Sequence, residues 1–274
     1  MKKTAAAALA LLLAASFTAC GKKQASPVFA SSAPSQPEHS APAGDYGEAV
    51  SAEKGEALSA DLDGDGSGET VSVVGGADGT GVTVSITGAD GTVCEDILPD
   101  VSGASTVLAD LDPNDGLTDV IVSYSAGVQA GETAIYRYDR STLTLWGCEW
   151  GSFVRAENGV LTLSSSANVI VPVTLEADYV CDPDEEMLVR SGDYRIVSDA
   201  AVKLAAKMPV QTSSGEKILS KGTKLTLTRT DLYSYLRFLA DGEECWVNIS
   251  FGGDIPQILL SDGTSVGADS YFDM

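Results

Sequence analysis

Residues 61–69 read Asp-Leu-Asp-Gly-Asp-Gly-Ser-Gly-Glu and lead directly into the apolar run at residues 70–74. Acidic side chains stand at positions 1, 3, 5 and 9 of this glycine-broken loop, namely Asp61, Asp63, Asp65 and Glu69. Alternate residues of a tight loop can direct their carboxylates to one centre, and calcium takes about six to eight oxygen ligands. The stretch therefore predicts a calcium site where a β-strand begins, with these four acids as ligands.

A second acidic loop begins 49 residues later, where residues 110–119 read Asp-Leu-Asp-Pro-Asn-Asp-Gly-Leu-Thr-Asp. It leads into a Val-rich run at residues 120–122 and is one residue longer than the first loop. Asp110, Asp112 and Asp119 are its predicted ligands, and either Asn114 or Asp115 takes the central place. An EF-hand would need a glutamate at position 12 of the first loop, where Ser72 stands. Two calcium ions are therefore expected, in loops that join strands.

The chain from residue 58 onward predicts an all-β fold of antiparallel strands. Its apolar runs are short and rich in Val, Ile, Thr and Tyr, and Asp-Gly or Asn-Gly turns separate them. The predicted strands include residues 69–74, 82–86, 106–109, 119–124, 133–138, 143–146, 160–163, 169–175 and 188–197. We assign residues 58–200 to one acidic β domain.

The two loops, each followed by a Val-rich strand, resemble the FG-GAP/VCBS type of calcium-binding β repeat. In that family an Asp-x-Asp-x-Asp-Gly-x-x-Asp loop precedes a strand, and the repeats form propeller blades. The resemblance implies calcium as the cofactor and propeller-blade-like repeats as the architecture. It also implies that the acids of both loops are the metal ligands.

Residues 201–274 form a second predicted domain, because near residue 200 the acidic charge becomes nearly neutral and lysines cluster. Residues 203–250 contain short alternating strands with a Lys221-Gly222-Thr223 turn and a closing Trp246-Val247 pair. This pattern resembles bacterial SH3-like domains, which are small β barrels. The resemblance implies a cell-wall peptide as an alternative ligand.

The N-terminus predicts export and membrane anchoring. Met1-Lys2-Lys3 precedes an apolar stretch at residues 5–15 that is too short for a comfortable membrane span, which is typical of a signal peptide. Residues 17–20 read Phe-Thr-Ala-Cys and resemble the lipobox of bacterial lipoproteins. We therefore predict a signal peptide at residues 1–19 and a lipidated Cys20 that anchors the protein to the membrane outside the cytoplasm. Residues 20–57, rich in Pro, Ser and Ala, are predicted to be a disordered tether.

Charge and residue types exclude several function classes. The net charge is −22, and residues 58–200 carry 25 acidic and five basic residues, a net charge of −20. Because this field repels phosphate backbones, no nucleic-acid partner is expected. His39 is the only histidine, and the sequence holds no nucleophile elbow, zinc-protease motif or phosphate loop, so an enzyme is not expected.

Four cysteines remain after Cys20, and three pairings are open to them. A Cys94–Cys148 disulfide is the favoured candidate, and buried free thiols are the competing interpretation.

These features predict a cell-surface lipoprotein whose calcium-stabilised β domain has a non-catalytic binding or scaffolding role at the cell envelope. A cell-wall or surface protein is the expected partner. Peptidoglycan binding through the SH3-like domain is the first alternative, and a carbohydrate-active enzyme is the second.

Overall fold

The computed structural model describes residues 35–41, 46–52, 55–75, 81–125, 131–182, 187–251 and 255–273. All of them belong to one compact unit, Ser31–Met274. The predicted signal peptide, Cys20 and the first part of the predicted tether lie outside the described residues. Within the ranges above, no helix is both long and apolar enough to cross a membrane.

The all-β prediction is confirmed, since the described residues form 22 strands and one short 3₁₀ turn, Ala268–Ser270, and every strand pair is antiparallel. The first sheet is a four-stranded meander. Its strands are β2 (Leu58–Ala60), β3 (Glu69–Gly75), β4 (Gly81–Thr87) and β5 (Val93–Pro99).

The second sheet repeats this order, with a short strand added at its edge. Its strands are β1 (Val50–Ala52), which pairs with β6 (Ser102–Ala109), then β7 (Asp119–Ser125), β8 (Gly131–Asp139) and β9 (Thr142–Trp150). In both meanders the acidic loop joins the first two strands.

The third sheet opens with a third four-stranded meander and continues to the C-terminus. The meander consists of β10 (Ser152–Glu157), β11 (Val160–Asn168), β12 (Pro172–Asp182) and β13 (Met187–Ile196). A tight turn at Asn158 and Gly159 stands where the other two meanders have their acidic loops. The remaining strands are β14 (Ala201–Leu204), β15 (Met208–Thr212), β16 (Gly215–Leu219), β17 (Lys224–Thr230), β18 (Tyr235–Ala240), β19 (Glu243–Ser250), β20 (Gln257–Leu259), β21 (Ser265–Gly267) and β22 (Phe272–Asp273).

The second sheet lies between the other two, so its central strands β7 and β8 are buried on both faces. Along β7, Val120 and Val122 contribute to a core shared with the first sheet, where Val84 and Ile86 lie. Ile121 points to the opposite face and joins a second core with residues of the third sheet. Successive residues of a strand point to opposite faces, which explains the continuous apolar run of β7. This stacking places the two acidic loops beside each other.

The C-terminal strands form an open extension of the third sheet. β13 pairs with β17 through Tyr194 with Thr230 and Arg195 with Arg229, so hydrogen bonding crosses the predicted domain boundary near residue 200. No closed barrel is formed by the strands that the structure describes, so the small barrel expected for residues 201–274 is not found. The boundary and the SH3-like resemblance themselves stay predictions.

Part of the predicted disordered tether has defined contacts. Within residues 35–41, the Gln36 amide donates to Asp193 over 2.8 Å and the His39 amide donates to Ser191 over 3.0 Å. The Gly192 amide donates back to the Pro37 carbonyl over 2.8 Å. Strand β1, also inside the predicted tether, pairs with β6. The difference arises because backbone hydrogen bonds to β13 and β6 hold a segment that has little apolar surface of its own.

Candidate metal centre

The first acidic loop joins β2 to β3 and brings three of its four predicted ligands together. One carboxylate oxygen from each of Asp61, Asp63 and Asp65 lies within 4.8 Å of the others. Gly64 and Gly66 have backbone φ angles of +71° and +88°, a left-handed conformation that glycine adopts without strain. Across the described ranges, this is the only group of three or more acidic, histidine or cysteine side chains that could hold a metal.

Backbone amides orient these three carboxylates. Asp61 accepts hydrogen bonds from the amides of Asp65, over 3.1 Å, and Gly66, over 2.9 Å. Asp63 accepts from the Asp65 amide over 3.1 Å, and Asp65 accepts from the Ser67 amide over 2.7 Å. Asp61 and Asp65 are exposed and Asp63 is half-buried. Three hard carboxylates at the surface fit a calcium ion that completes its shell with water or carbonyl oxygens.

Glu69, the fourth predicted ligand, has a different contact. Its side chain is 2% exposed, and its Oε2 accepts a hydrogen bond from the Leu62 amide over 2.8 Å. In the second loop Asp119 does the same, accepting from the Leu111 amide over 3.1 Å. The last acid of each loop therefore ties the loop's end to its beginning, and Glu69 does not belong to the three-carboxylate group.

The second loop has the same turn as the first at its C-terminal half. Asp115 accepts from the Leu117 amide over 2.8 Å, as Asp65 does from Ser67. Gly116 has a positive φ of +71°, and Gly66 has one of +88°. Asp115 is therefore the structural equivalent of Asp65, and the extra residue falls before it. Asn114 instead donates from its amide groups to Asp112, over 3.1 Å and 3.0 Å.

A guanidinium group lies against the acids of the second loop. Arg137 on β8 places its Nε 2.9 Å from Asp119 Oδ1 and its Nη2 2.9 Å from Asp115 Oδ2. The other side of the guanidinium is covered by Trp146, with 3.5 Å from Cζ to the ring centroid. Burial raises the pKa of Asp119 to about 7, although Arg137 acts to lower it. Burial likewise raises the pKa of Asp115, and Arg137 opposes that rise.

The first two acids of the second loop, Asp110 and Asp112, have different surroundings: within the described ranges, Asp110 Oδ1 is buried without a hydrogen-bond partner, whereas Asp112 contacts a thiol. Asp110 is half-buried, and burial raises its pKa. Asp112 Oδ2 lies 3.5 Å from the thiol of Cys181, which donates to it. Among the described residues, the second set of predicted ligands does not form a group that could hold a metal, unlike Asp61, Asp63 and Asp65.

The two loops contact each other through their backbones. The Thr118 amide donates to the Leu62 carbonyl over 2.9 Å, and the Thr118 hydroxyl donates to the Asp61 carbonyl over 3.2 Å. Gly64 approaches the Gly116 carbonyl so closely that a Cβ at position 64 would lie 2.6 Å from that oxygen. Only glycine fits at position 64, so this residue serves the contact between loops as well as the turn.

The structure does not bring the candidate disulfide pair together. The Cys94 thiol donates to the Ser141 carbonyl over 3.1 Å, whereas the Cys148 thiol lies 3.3 Å from the Tyr124 hydroxyl. Residue 148 is seven positions beyond residue 141 along β9, which is roughly 20 Å at strand spacing. A disulfide requires Cα atoms within about 7 Å. A Cys94–Cys148 bridge therefore does not fit this fold, and Cys94, Cys148, Cys181 and Cys245 are free.

We expect each of these four thiols to be alkylated when the protein is denatured without reductant. Because Cys94 on β5 of the first sheet lies far from Cys148 on β9 of the second sheet, peptide mapping by mass spectrometry should show both as single alkylated peptides. Protein treated with reductant before alkylation is the control and should give the same map. Recovery of the two peptides as one disulfide-linked species would contradict the strand register described above.

Arg137 is the residue of the candidate site that the sequence did not predict. The only signal was a charged residue inside the strand sequence Ala-Ile-Tyr-Arg-Tyr at residues 134–138. Nothing in the sequence pairs that residue with a loop about 20 positions away.

No family model, curated protein or solved structure matches the chain.

Proposed function

We propose that this chain is a membrane-anchored, extracytoplasmic lipoprotein with a calcium-stabilised β domain and a non-catalytic binding or scaffolding role at the cell envelope. The observation that carries the proposal is the convergence of Asp61, Asp63 and Asp65 in the first loop. Three carboxylates this close repel one another, and a bound divalent cation removes that repulsion. Calcium suits them because all three offer hard oxygen atoms.

The position of the loops supports the proposed relation to FG-GAP/VCBS repeats. In the first two meanders the acidic loop joins the first strand to the second, and the meanders stack face to face. The proposal also keeps the SH3-like resemblance for residues 201–274, which is supported by the succession of short antiparallel pairs from β15 to β19. Anchoring through Cys20 rests on the lipobox-like sequence.

A non-catalytic role agrees with the surroundings of the only histidine. His39 Nδ1 lies 3.8 Å from Asp182 Oδ2, and its amide and carbonyl are both hydrogen-bonded to Ser191. It therefore belongs to the segment that lies along β13. A scaffold function needs only the rigid stack of sheets and the loop that calcium orders.

Calcium titration of the purified chain by calorimetry tests the proposal. We expect binding with a dissociation constant of about 10⁻⁴–10⁻³ M, the range of extracellular calcium modules. Asp63→Asn should weaken binding by at least about tenfold, because it removes one of three anionic ligands. Asp241→Asn is the matched control, since Asp241 stands in an exposed hairpin turn of the third sheet. No binding heat for the unaltered chain, together with no effect of chelator on its melting temperature, would overturn the proposal.

A further inference from the structure

The second loop does not offer the donor set that its sequence implies. A calcium ion there would need the oxygens of Asp115 and Asp119. Asp119 Oδ1 already accepts a hydrogen bond from Arg137 Nε at 2.9 Å, and Asp115 Oδ2 is ion-paired with Arg137 Nη2 at 2.9 Å. Asp119 is 1% exposed and the Arg137 side chain is 17% exposed, so the pair is largely removed from solvent. A cation that took these oxygens would compete with a guanidinium that is paired with both carboxylates and stacked on the Trp146 ring.

We infer that Arg137 is the built-in cation of the second loop, so that the chain takes one divalent ion, in the first loop, and the second loop takes none. The assignment of the ion to the first loop rests on the proposed function. The assignment of Arg137 to the second loop rests only on the contacts that it makes there.

The chemistry of arginine suits this role. A guanidinium is planar, stays charged at any physiological pH and offers donors in a fixed fork, so one group can bind two carboxylates and stack on an aromatic ring. Arg137 does all three, with Nε on Asp119, Nη2 on Asp115 and its plane over Trp146. The positive charge therefore belongs to the chain itself and does not depend on the calcium concentration outside the cell.

The arrangement also makes Arg137 a positioning residue for the first loop. Asp119 and Asp115 flank Thr118, which donates to the carbonyls of Asp61 and Leu62. Arg137 holds the segment around Thr118 in place without metal. The second loop therefore positions the backbone of the first loop, through Thr118, before the ion binds.

The stoichiometry of calcium binding is the first test. Calorimetry with calcium chloride should give one site per chain, which Asp63→Asn weakens by at least about tenfold and Asp112→Asn leaves unchanged. Two sites in the unaltered chain, one of them lost in Asp112→Asn, would overturn the inference. This test needs no change at Arg137, so it holds even if variants at that position fail to fold.

Melting temperature in excess chelator is the second test. Arg137→Gln should lower it by about 10 °C, because two buried or half-buried carboxylates lose their counter-charge. Arg229→Gln, a change at an exposed arginine of β17, is the matched control and should leave it within about 2 °C. Equal melting temperatures for the two variants would overturn the inference.

The two tests separate this inference from the proposed function. If the unaltered chain binds no calcium, the proposed function fails. The inference about the second loop is then decided by the melting temperatures in chelator alone.

Discussion

Replacement of Asp119 by alanine should destabilise the fold by about 3–5 kcal/mol, because removing one partner of a buried ion pair leaves the other uncompensated. The Arg137 guanidinium would keep only Asp115, and the Leu111 amide would lose its acceptor. Urea unfolding in the presence of chelator measures this loss without a contribution from bound metal.

Two further variants show whether the loss comes from the ion pair. Asp139→Ala removes an exposed acid at the β8–β9 turn and should change the unfolding free energy by less than about 0.5 kcal/mol. The double variant Asp119→Ala with Arg137→Met removes both charges and should recover a large part of the loss, since apolar replacements of buried pairs are often tolerated. A loss below about 1 kcal/mol for Asp119→Ala alone would contradict the burial of this pair.

Replacement of Ile121 by alanine should cost about 2–5 kcal/mol, the usual range for truncating a fully buried isoleucine. Ile121 is 0% exposed and belongs to the core between the second and third sheets. The truncation leaves a cavity between two sheets that cannot easily close. In urea unfolding the midpoint should fall while the slope stays constant.

Ile97→Ala is the matched control for that experiment. Ile97 lies on β5, at the edge of the first sheet, and is 65% exposed. Both changes remove the same atoms from a β-strand, so the loss of strand propensity is shared and only burial differs. Equal losses from the two variants would contradict the stacking of the second sheet between the others.

The strands and the first loop were predictable because their signals are local. The predicted strands at residues 69–74, 82–86 and 119–124 correspond to β3, β4 and β7, with ends that differ by one residue. Val/Thr alternation and Asp-Gly turns act over a few positions, so the sequence displays them directly. The acid alternation likewise predicted the group of Asp61, Asp63 and Asp65.

The structure differs from the sequence-based predictions where contacts form between distant parts of the chain. Glu69 fits the ligand spacing, but its buried side chain accepts a hydrogen bond from the Leu62 amide. Glu69 therefore connects the end of the loop to its beginning and does not join the three carboxylates. Arg137 reaches the second loop only because β7 and β8 pair, which sets residue 137 on the strand next to Asp119. No closed barrel is found among the described strands of residues 201–273, since β13 pairs with β17 and the sheet continues across residue 200.

The docking of residues 35–41 along β13 limits the greatest distance that the chain allows between the proposed anchor at Cys20 and the folded domain. With that segment held, the fourteen residues 21–34 separate Cys20 from Ser35, the first described residue. Fourteen residues span at most about 50 Å when fully extended. If Cys20 is the anchor, the acidic domain would therefore stay within about 50 Å of the membrane surface.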